Sequence, residues 1–272
     1  MIRVPMLNSI RDHWPEYLME AWGLGVFMIS ACVFTVLVNH PASPLQPGAE
    51  SPLARRALIG AAMGATAVAI ITSPWGRRSG AHINPAVTLA YFSLGKIRPW
   101  DALFYIAAQF AGAIAGVQAA EWLIGPPVGH SAVNYVATLP GSFGPWAAFA
   151  AEVSISALLL TVVLWASNRR SSAPWTPYLA GTLVALYITI EAPISGMSMN
   201  PARTFGSGLF ASAWNGVWIY FTAPTLGMLA AAQLFRILSG EAAVLCAKLD
   251  HHNNHTRCIF RCNYGALHAG RH

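Results

Sequence analysis

The sequence predicts an all-α membrane protein with six transmembrane helices, two re-entrant half-helices and an inverted repeat. Three observations predict it: long apolar stretches almost free of charge, basic residues concentrated in alternate connections with Arg55, Arg56 and Arg203 as the exceptions, and a short motif present once in each half. Of 272 residues, 55% are hydrophobic and only 10% charged, whereas a soluble domain carries about 25% charged residues. This composition excludes a large soluble catalytic domain, a disulfide scaffold, a collagen-like fibre and a disordered polymer.

A helix crossing a hydrocarbon layer of about 30 Å needs roughly 20 apolar residues. The first span is residues 17–39, which hold one carboxylate, Glu20. The second is 57–76, with no Asp, Glu, Lys or Arg, and the third, 102–120, is equally bare. The fourth is 145–168, with Glu152 as its one carboxylate; the fifth is 173–190, and the charge-free sixth stretch runs from 204 to 235. A carboxylate is costly in a lipid-facing helix, so Glu20 and Glu152 must turn toward protein and find donors.

The formal charge is +6 and the pI near 9.4, yet no basic stripe is interleaved with aromatics, so nucleic acid is not an expected partner. Instead Arg3 and Arg11 precede span one, Arg77, Arg78, Lys96 and Arg98 fall between spans two and three, and Arg169 and Arg170 between four and five. Arg236 and the later basic residues follow span six. With six spans these segments share one face, which the positive-inside rule makes cytoplasmic. The expectation is a multi-pass protein of the plasma (inner) membrane, in contact with lipid throughout, with both termini cytoplasmic. No cleavable signal peptide is expected, because the first apolar stretch is too long and too acidic for one.

The repeat lies in His82-Ile83-Asn84-Pro85-Ala86 and Ser198-Met199-Asn200-Pro201-Ala202. Three spans per half is an odd number, so the second half enters the membrane in the opposite orientation. Each triplet heads an apolar run too short to cross, 87–94 or 204–210. Asn is a good helix N-cap and Pro is favoured at the first helical position, so each triplet reads as the start of a half-helix. The last stretch exceeds one span by about a half-helix, with Trp214-Asn215-Gly216 as the break. Non-helical backbone at membrane depth is tolerated where it is buried in protein or lines a watery cavity. The two half-helices should therefore meet N-terminus to N-terminus near the midplane.

On the doubled Asn-Pro-Ala triplet with Arg203 directly after the second copy, the chain resembles the aquaporin (major intrinsic protein) family over about residues 16–236. The resemblance implies six membrane helices, two re-entrant half-helices, one pore per subunit and a homotetramer. It also assigns Glu20 and Glu152 to holding loop backbone N–H groups behind the half-helices, and Arg203 to the selectivity filter. Three regions follow: a cytoplasmic N-terminus (1–15), a channel domain (16–239, repeats about 16–124 and 145–239), and a cytoplasmic Cys/His-rich tail (240–272).

Such a pore replaces part of a solute's hydration shell and repels ions. Asn84 and Asn200 can aim side-chain N–H groups at a passing oxygen, and the half-helix dipoles add partial positive charge there. Counting without gaps from the motifs, the other filter positions are Gly64, Ile188 and Met197. Water-selective members typically have an aromatic residue and a His at the first two of these, so Gly64 should widen the constriction and Ile188 removes a polar contact. Conversely, Thr204 stands where glycerol facilitators carry Asp, and Tyr220-Phe221 precedes Pro224; both are closer to water channels. A one-residue slip would put Met63 in place of Gly64. Glu191 lies one turn beyond Ile188 and could line the outer vestibule and pair with Arg203, or simply end its helix before Pro193.

The expected function is passive passage of water, with small neutral solutes in addition and ions and protons excluded, and no covalent chemistry. One alternative is a channel for glycerol, urea, ammonia or undissociated metalloid acids. Another, from a different class, is a membrane-junction or scaffold protein with a closed pore. In the tail, Cys246, Cys258 and Cys262 with His251, His252 or His255 could supply a zinc site, although their spacing matches no standard finger. The rival expectation there is a disordered basic extension.

Overall fold

The computed structural model describes residues 6–44, 51–251 and 256–264, and among them the regular structure is entirely helical. The first half contains α1 (Met6–Asn39), α2 (Pro52–Thr72), the short α3 (Pro74–Ser79), α4 (Pro85–Ser93) and α5 (Pro99–Ile124). The second repeats the order with α6 (Pro145–Ser167), α7 (Thr176–Ile190), α8 (Ala192–Ser195), α9 (Pro201–Ala211) and α10 (Val217–Ser239). Proline opens α2, α4, α5, α6 and α9 at the first turn, where its missing N–H leaves nothing unpaired and its fixed φ suits the helix.

Five helices, α1, α2, α5, α6 and α10, are long and apolar enough to cross a membrane. The fifth span, 173–190, is shorter as a helix than its apolar stretch: residues 173–175 form a 3-10 turn, and α7 proper has 15 residues, about 22 Å at 1.5 Å per residue. The expected half-helices are α4 and α9, and the expected break falls between Ala211 and Val217.

Packing follows the two-fold logic of an inverted repeat. α1 lies on α5 as α6 lies on α10, α9 lies against α5 as α4 lies against α10, and α2 packs on its own counterpart, α7. Lipid gives no hydrophobic reason for helices to associate, so small residues that let backbones approach carry these contacts. A Cβ on Gly112 of α5 would stand 2.1 Å from the Ala21 carbonyl oxygen of α1, and one on Gly227 of α10 would stand 2.3 Å from that of Val153 of α6.

Beyond α10 the chain returns to the bundle. Val244, Leu245, Cys246, Ala247, Leu249, Ile259, Phe260 and Tyr264 are all buried and belong to the main hydrophobic core. The described tail is thus packed structure and not a solvated extension.

Candidate functional site

Each Asn-Pro-Ala triplet is preceded by a turn built around a buried carboxylate. Before α4, Gly80, Ala81 and Ile83 have φ of 97°, 54° and 41°; before α9, Gly196, Met197 and Met199 have 81°, 51° and 53°. Left-handed backbone is unfavourable for the four side-chain-bearing residues, and it turns their N–H groups away from any helical partner. Glu20 supplies the acceptor in the first turn. Its Oε1 accepts from the Ser79 hydroxyl (2.8 Å) and the His82 N–H (3.0 Å), and its Oε2 from the Ile83 N–H (2.6 Å) and Gln109 Nε2 (2.8 Å). Glu152 does the same in the second, accepting from the Ser195 hydroxyl (2.8 Å) and from the Ser198 and Met199 N–H groups (2.7 Å each).

The pairing extends to Tyr105, which pattern reading passed over, and to Tyr220, which it named only beside Pro224. Tyr105 donates to the Ser79 carbonyl and Tyr220 to that of Ser195, both at 2.6 Å. The available signal was Ser-Gly four residues before each Asn-Pro-Ala, at Ser79-Gly80 and Ser195-Gly196.

Asn84 and Asn200 each cap their own half-helix and tie it to the other. Asn84 Oδ1 accepts from the Ala86 N–H (2.8 Å), and its Nδ2 donates to the Met199 carbonyl (2.7 Å). Asn200 Oδ1 accepts from the N–H groups of Ala202 (3.1 Å) and Arg203 (3.2 Å), and its Nδ2 donates to the Ile83 carbonyl (2.8 Å). One N–H of each amide is therefore committed to fixing its orientation. The other stays with a side chain that borders a cavity.

That cavity measures about 320 Å³, room for a column of waters at about 30 Å³ each. Along α2 its wall is Arg56, Ile59, Met63, Ala67 and Ile71, one helix face at three- and four-residue steps, about 22 Å from first to last. Its polar positions are few. Arg203 and Arg56 border it, with Ile188 and Met197 also in the wall; Asn84 and Asn200 lie between the half-helices; and His82 lies beyond them with Leu249 of the tail. Arg203 Nη1 is bonded to the Thr138 hydroxyl, and Arg56 Nε donates to the Thr189 carbonyl at 2.9 Å.

One expectation needs correction, and one open choice is resolved. Gly64 is not part of the wall: a Cβ there would meet the Gly181 carbonyl oxygen at 2.5 Å, so this glycine belongs to the α2–α7 contact, and its neighbour Met63 borders the cavity. The count from the motif is off by one residue because the close α2–α7 contact turns Gly64 toward Gly181 and presents Met63 to the cavity. Of the two places left open for Glu191, the vestibule or the end of its helix, it takes the second, buried at the C-terminal end of α7. It is not among the lining residues and forms no ion pair with Arg203 among the described residues.

In the tail, Cys246, His251, Cys258 and Cys262 come together with their ligand atoms all within 4.8 Å of one another, a set that could bind a metal. Cys246 Sγ lies 3.5 Å from Cys258 Sγ, and Cys262 Sγ lies 3.6 Å from His251 Nδ1. Hydrogen bonds from Cys246 and Cys258 draw the Cys262 thiol below the usual range, whereas bonds to its neighbours push Cys246 up. His252 and His255 lie outside the described residues.

A bundle of membrane-crossing helices around a narrow, largely apolar cavity, with Asn84 and Asn200 meeting it between the two half-helices and arginines toward one end, defines a polytopic membrane channel. The family model described as "Major intrinsic protein" matches residues 7–235, and the chain belongs to that family. It is a channel and not an enzyme. Similar curated proteins include "Aquaporin NIP2-1" of Oryza sativa subsp. japonica, 31% identical over 86% of this chain and 75% of that protein. "Aquaporin Z" of Rhodopseudomonas palustris is 31% identical over 61% of this chain and 72% of that one. "Glycerol uptake facilitator protein-like 6" of Lactiplantibacillus plantarum is 35% identical over 67% and 85%. Among solved structures, the aquaglyceroporin from Plasmodium falciparum matches with a TM-score of 0.68 over 85% of this chain and 99% of that one. At 20% identity it speaks to the fold.

Proposed function

We propose that the channel passes water, together with small uncharged solutes, and excludes ions and protons. The observation that carries this reading is the cavity wall itself, apolar along most of α2 and polar where Asn84, Asn200 and Arg203 meet it. A passing water accepts from the two amides at the midplane, where the N-termini of α4 and α9 add partial positive charge. Its oxygen is thus oriented, a continuous proton wire is broken, and a cation meets an electrostatic barrier. Arg203, held by Thr138, forms a second barrier, in a constriction shared with Met63, Ile188 and Met197. Glu20 and Glu152 keep the two turns in place, and Pro85, Ala86, Pro201 and Ala202 start the half-helices.

A second reading has support in the same wall. Ile188, Met63 and Met197 offer no polar atom beyond a thioether opposite Arg203, which favours solutes with an apolar side, such as glycerol or undissociated metalloid acids. The names of the relatives, aquaporins and a glycerol uptake facilitator, are consistent with either.

The positively charged connections support a cytoplasmic placement for both termini, with 1–15 and 240–272 flanking a channel domain of 16–239 and four copies forming the assembly. The Cys/His cluster then faces a compartment where thiols stay reduced. Stopped-flow light scattering on proteoliposomes under parallel gradients of an impermeant osmolyte, glycerol, urea and boric acid tests the reading. Water should equilibrate fastest, with slower entry of the small neutral solutes. Solute entry that outpaces water would favour the second reading.

A further inference from the structure

After α10 the tail crosses the end of the bundle at which α3 and His82 lie, held by partners on several elements. The Leu245 N–H donates to Asn168 Oδ1 beyond α6 (2.6 Å), the Leu249 N–H to the Gly80 carbonyl beyond α3 (3.1 Å), and the Arg261 N–H to the Lys96 carbonyl beyond α4 (2.9 Å). Arg77 Nε pairs with Asp250 Oδ2 at 2.8 Å, and Arg257 Nη2 donates to the Asp12 carbonyl of α1 at 2.6 Å. These anchors surround the conduit, so the tail spans it as a strap.

Two contacts place the strap in the path. Leu249 is part of the cavity wall. His82, another wall residue, lies with Nε2 at 2.8 Å from the Ala247 carbonyl oxygen. A carbonyl only accepts, so Nε2 carries the proton and spends it on the strap. The His82 ring is also stacked on both Tyr91 and Phe260, at 5.1 and 5.4 Å between centroids. At this end a solute meets a leucine side chain and an imidazole already engaged.

The same strap carries the Cys/His cluster, with two ligands on its outgoing arm, Cys246 and His251, and two on its returning arm, Cys258 and Cys262. Tetrahedral zinc with bonds of about 2.3 Å to sulfur and 2.0–2.1 Å to nitrogen sets its ligand atoms about 3.5–3.8 Å apart. The 3.5 and 3.6 Å separations agree with this, and no ligand pair exceeds 4.8 Å. Supporting groups are in place: the Tyr264 N–H points to Cys262 Sγ at 3.5 Å, and the Tyr264 ring stacks on His251 at 4.8 Å. Three thiolates around a dication leave one net negative charge. Lys248, 1% exposed and donating to the Arg257 carbonyl at 2.5 Å, stands beside the cluster to balance it. Ala247 and Leu249, the residues that touch His82 and the cavity, fall between the two ligands of one arm. Cross-linking the arms fixes them.

We propose that Cys246, His251, Cys258 and Cys262 bind one zinc ion, and that the zinc-clamped strap closes this end of the conduit, which opens when the metal is withdrawn. The closure rests on the channel reading given above; the metal site does not.

Full-length protein purified without a metal-affinity tag tests both parts. Elemental analysis should find one zinc per chain, lost when Cys246, Cys258 and Cys262 all become Ser. In proteoliposomes, water permeability should be low with zinc bound, rise severalfold on chelation, and fall again when zinc alone is restored. Leu249→Ala keeps every ligand, and should retain zinc while already open. Zinc well below one per chain, or a Cys246–Cys258 disulfide in its place under reducing purification, would overturn the site. Bound zinc with permeability unchanged by chelation and by Leu249→Ala would overturn the closure. If zinc is bound but no state exceeds empty vesicles, the closure and the channel reading both fall and the metal site stands.

Discussion

At Glu20 and Glu152, a charge that would be costly in lipid becomes the acceptor for backbone that has no other partner. Each hydrogen bond to a charged group contributes roughly 1.5–3 kcal/mol, and each buried donor left unpaired costs about 1–3 kcal/mol. Both turns depend on these acceptors, because Ala81, Ile83, Met197 and Met199 are held at positive φ. Arg203 is different in kind, since its charge serves the solute path and not the turn. Arg203→Ala removes one of the two cations, Arg203 and Arg56, that border the cavity, the one that follows the second Asn-Pro-Ala, and it leaves the Asn200 cap intact. With zinc chelated so that the strap does not close the path, we expect water flux to persist while proton or cation leak rises severalfold, read with a pH-sensitive dye trapped in the vesicles. Leak equal to that of the unaltered protein would remove Arg203 from the barrier.

Whole helices decide the size of the constriction more than any single count along the chain. α2 shows two adjacent residues with opposite duties: Met63 borders the cavity, and Gly64 brings the backbone of α2 against Gly181 of α7. Met63→Ala should therefore raise glycerol entry more than water entry, compared in one vesicle preparation. Gly64→Phe should fail differently. With the Gly181 carbonyl 2.5 Å from the new Cβ, α2 and α7 must separate, so folded yield and all permeation should fall together. A well-folded Gly64→Phe channel with selectively reduced glycerol entry would return this residue to the wall. The spans, the half-helices and their caps were legible in the sequence, because charge placement, span length and Asn-Pro signals are local. The register of Met63 was not, since which of two adjacent α2 residues faces the cavity is set by how closely α2 packs on α7. Likewise the burial of Glu191 depends on how the segment after α7 folds back. The four tail ligands were visible as residue types, but their convergence depends on contacts with α1, α3 and the segment after α4, distant in sequence.

Over the whole molecule, two halves of opposite orientation supply one capped half-helix each, and a single conduit runs between them. Its Arg203 end is open to loop residues such as Ala132 and Ala137, and its other end is bordered by Leu249 of the tail. In an assembled channel of this kind water must pass while charge does not. The most direct measurement records osmotic water flux and proton flux in the same proteoliposomes, with full-length Leu249→Ala so that the strap cannot hide the pore. We expect water permeability well above that of empty vesicles, with weak temperature dependence, and a proton flux no greater than theirs. Water flux no faster than that of empty vesicles, or water and protons rising together, would contradict a conduit that selects at Asn84, Asn200 and Arg203.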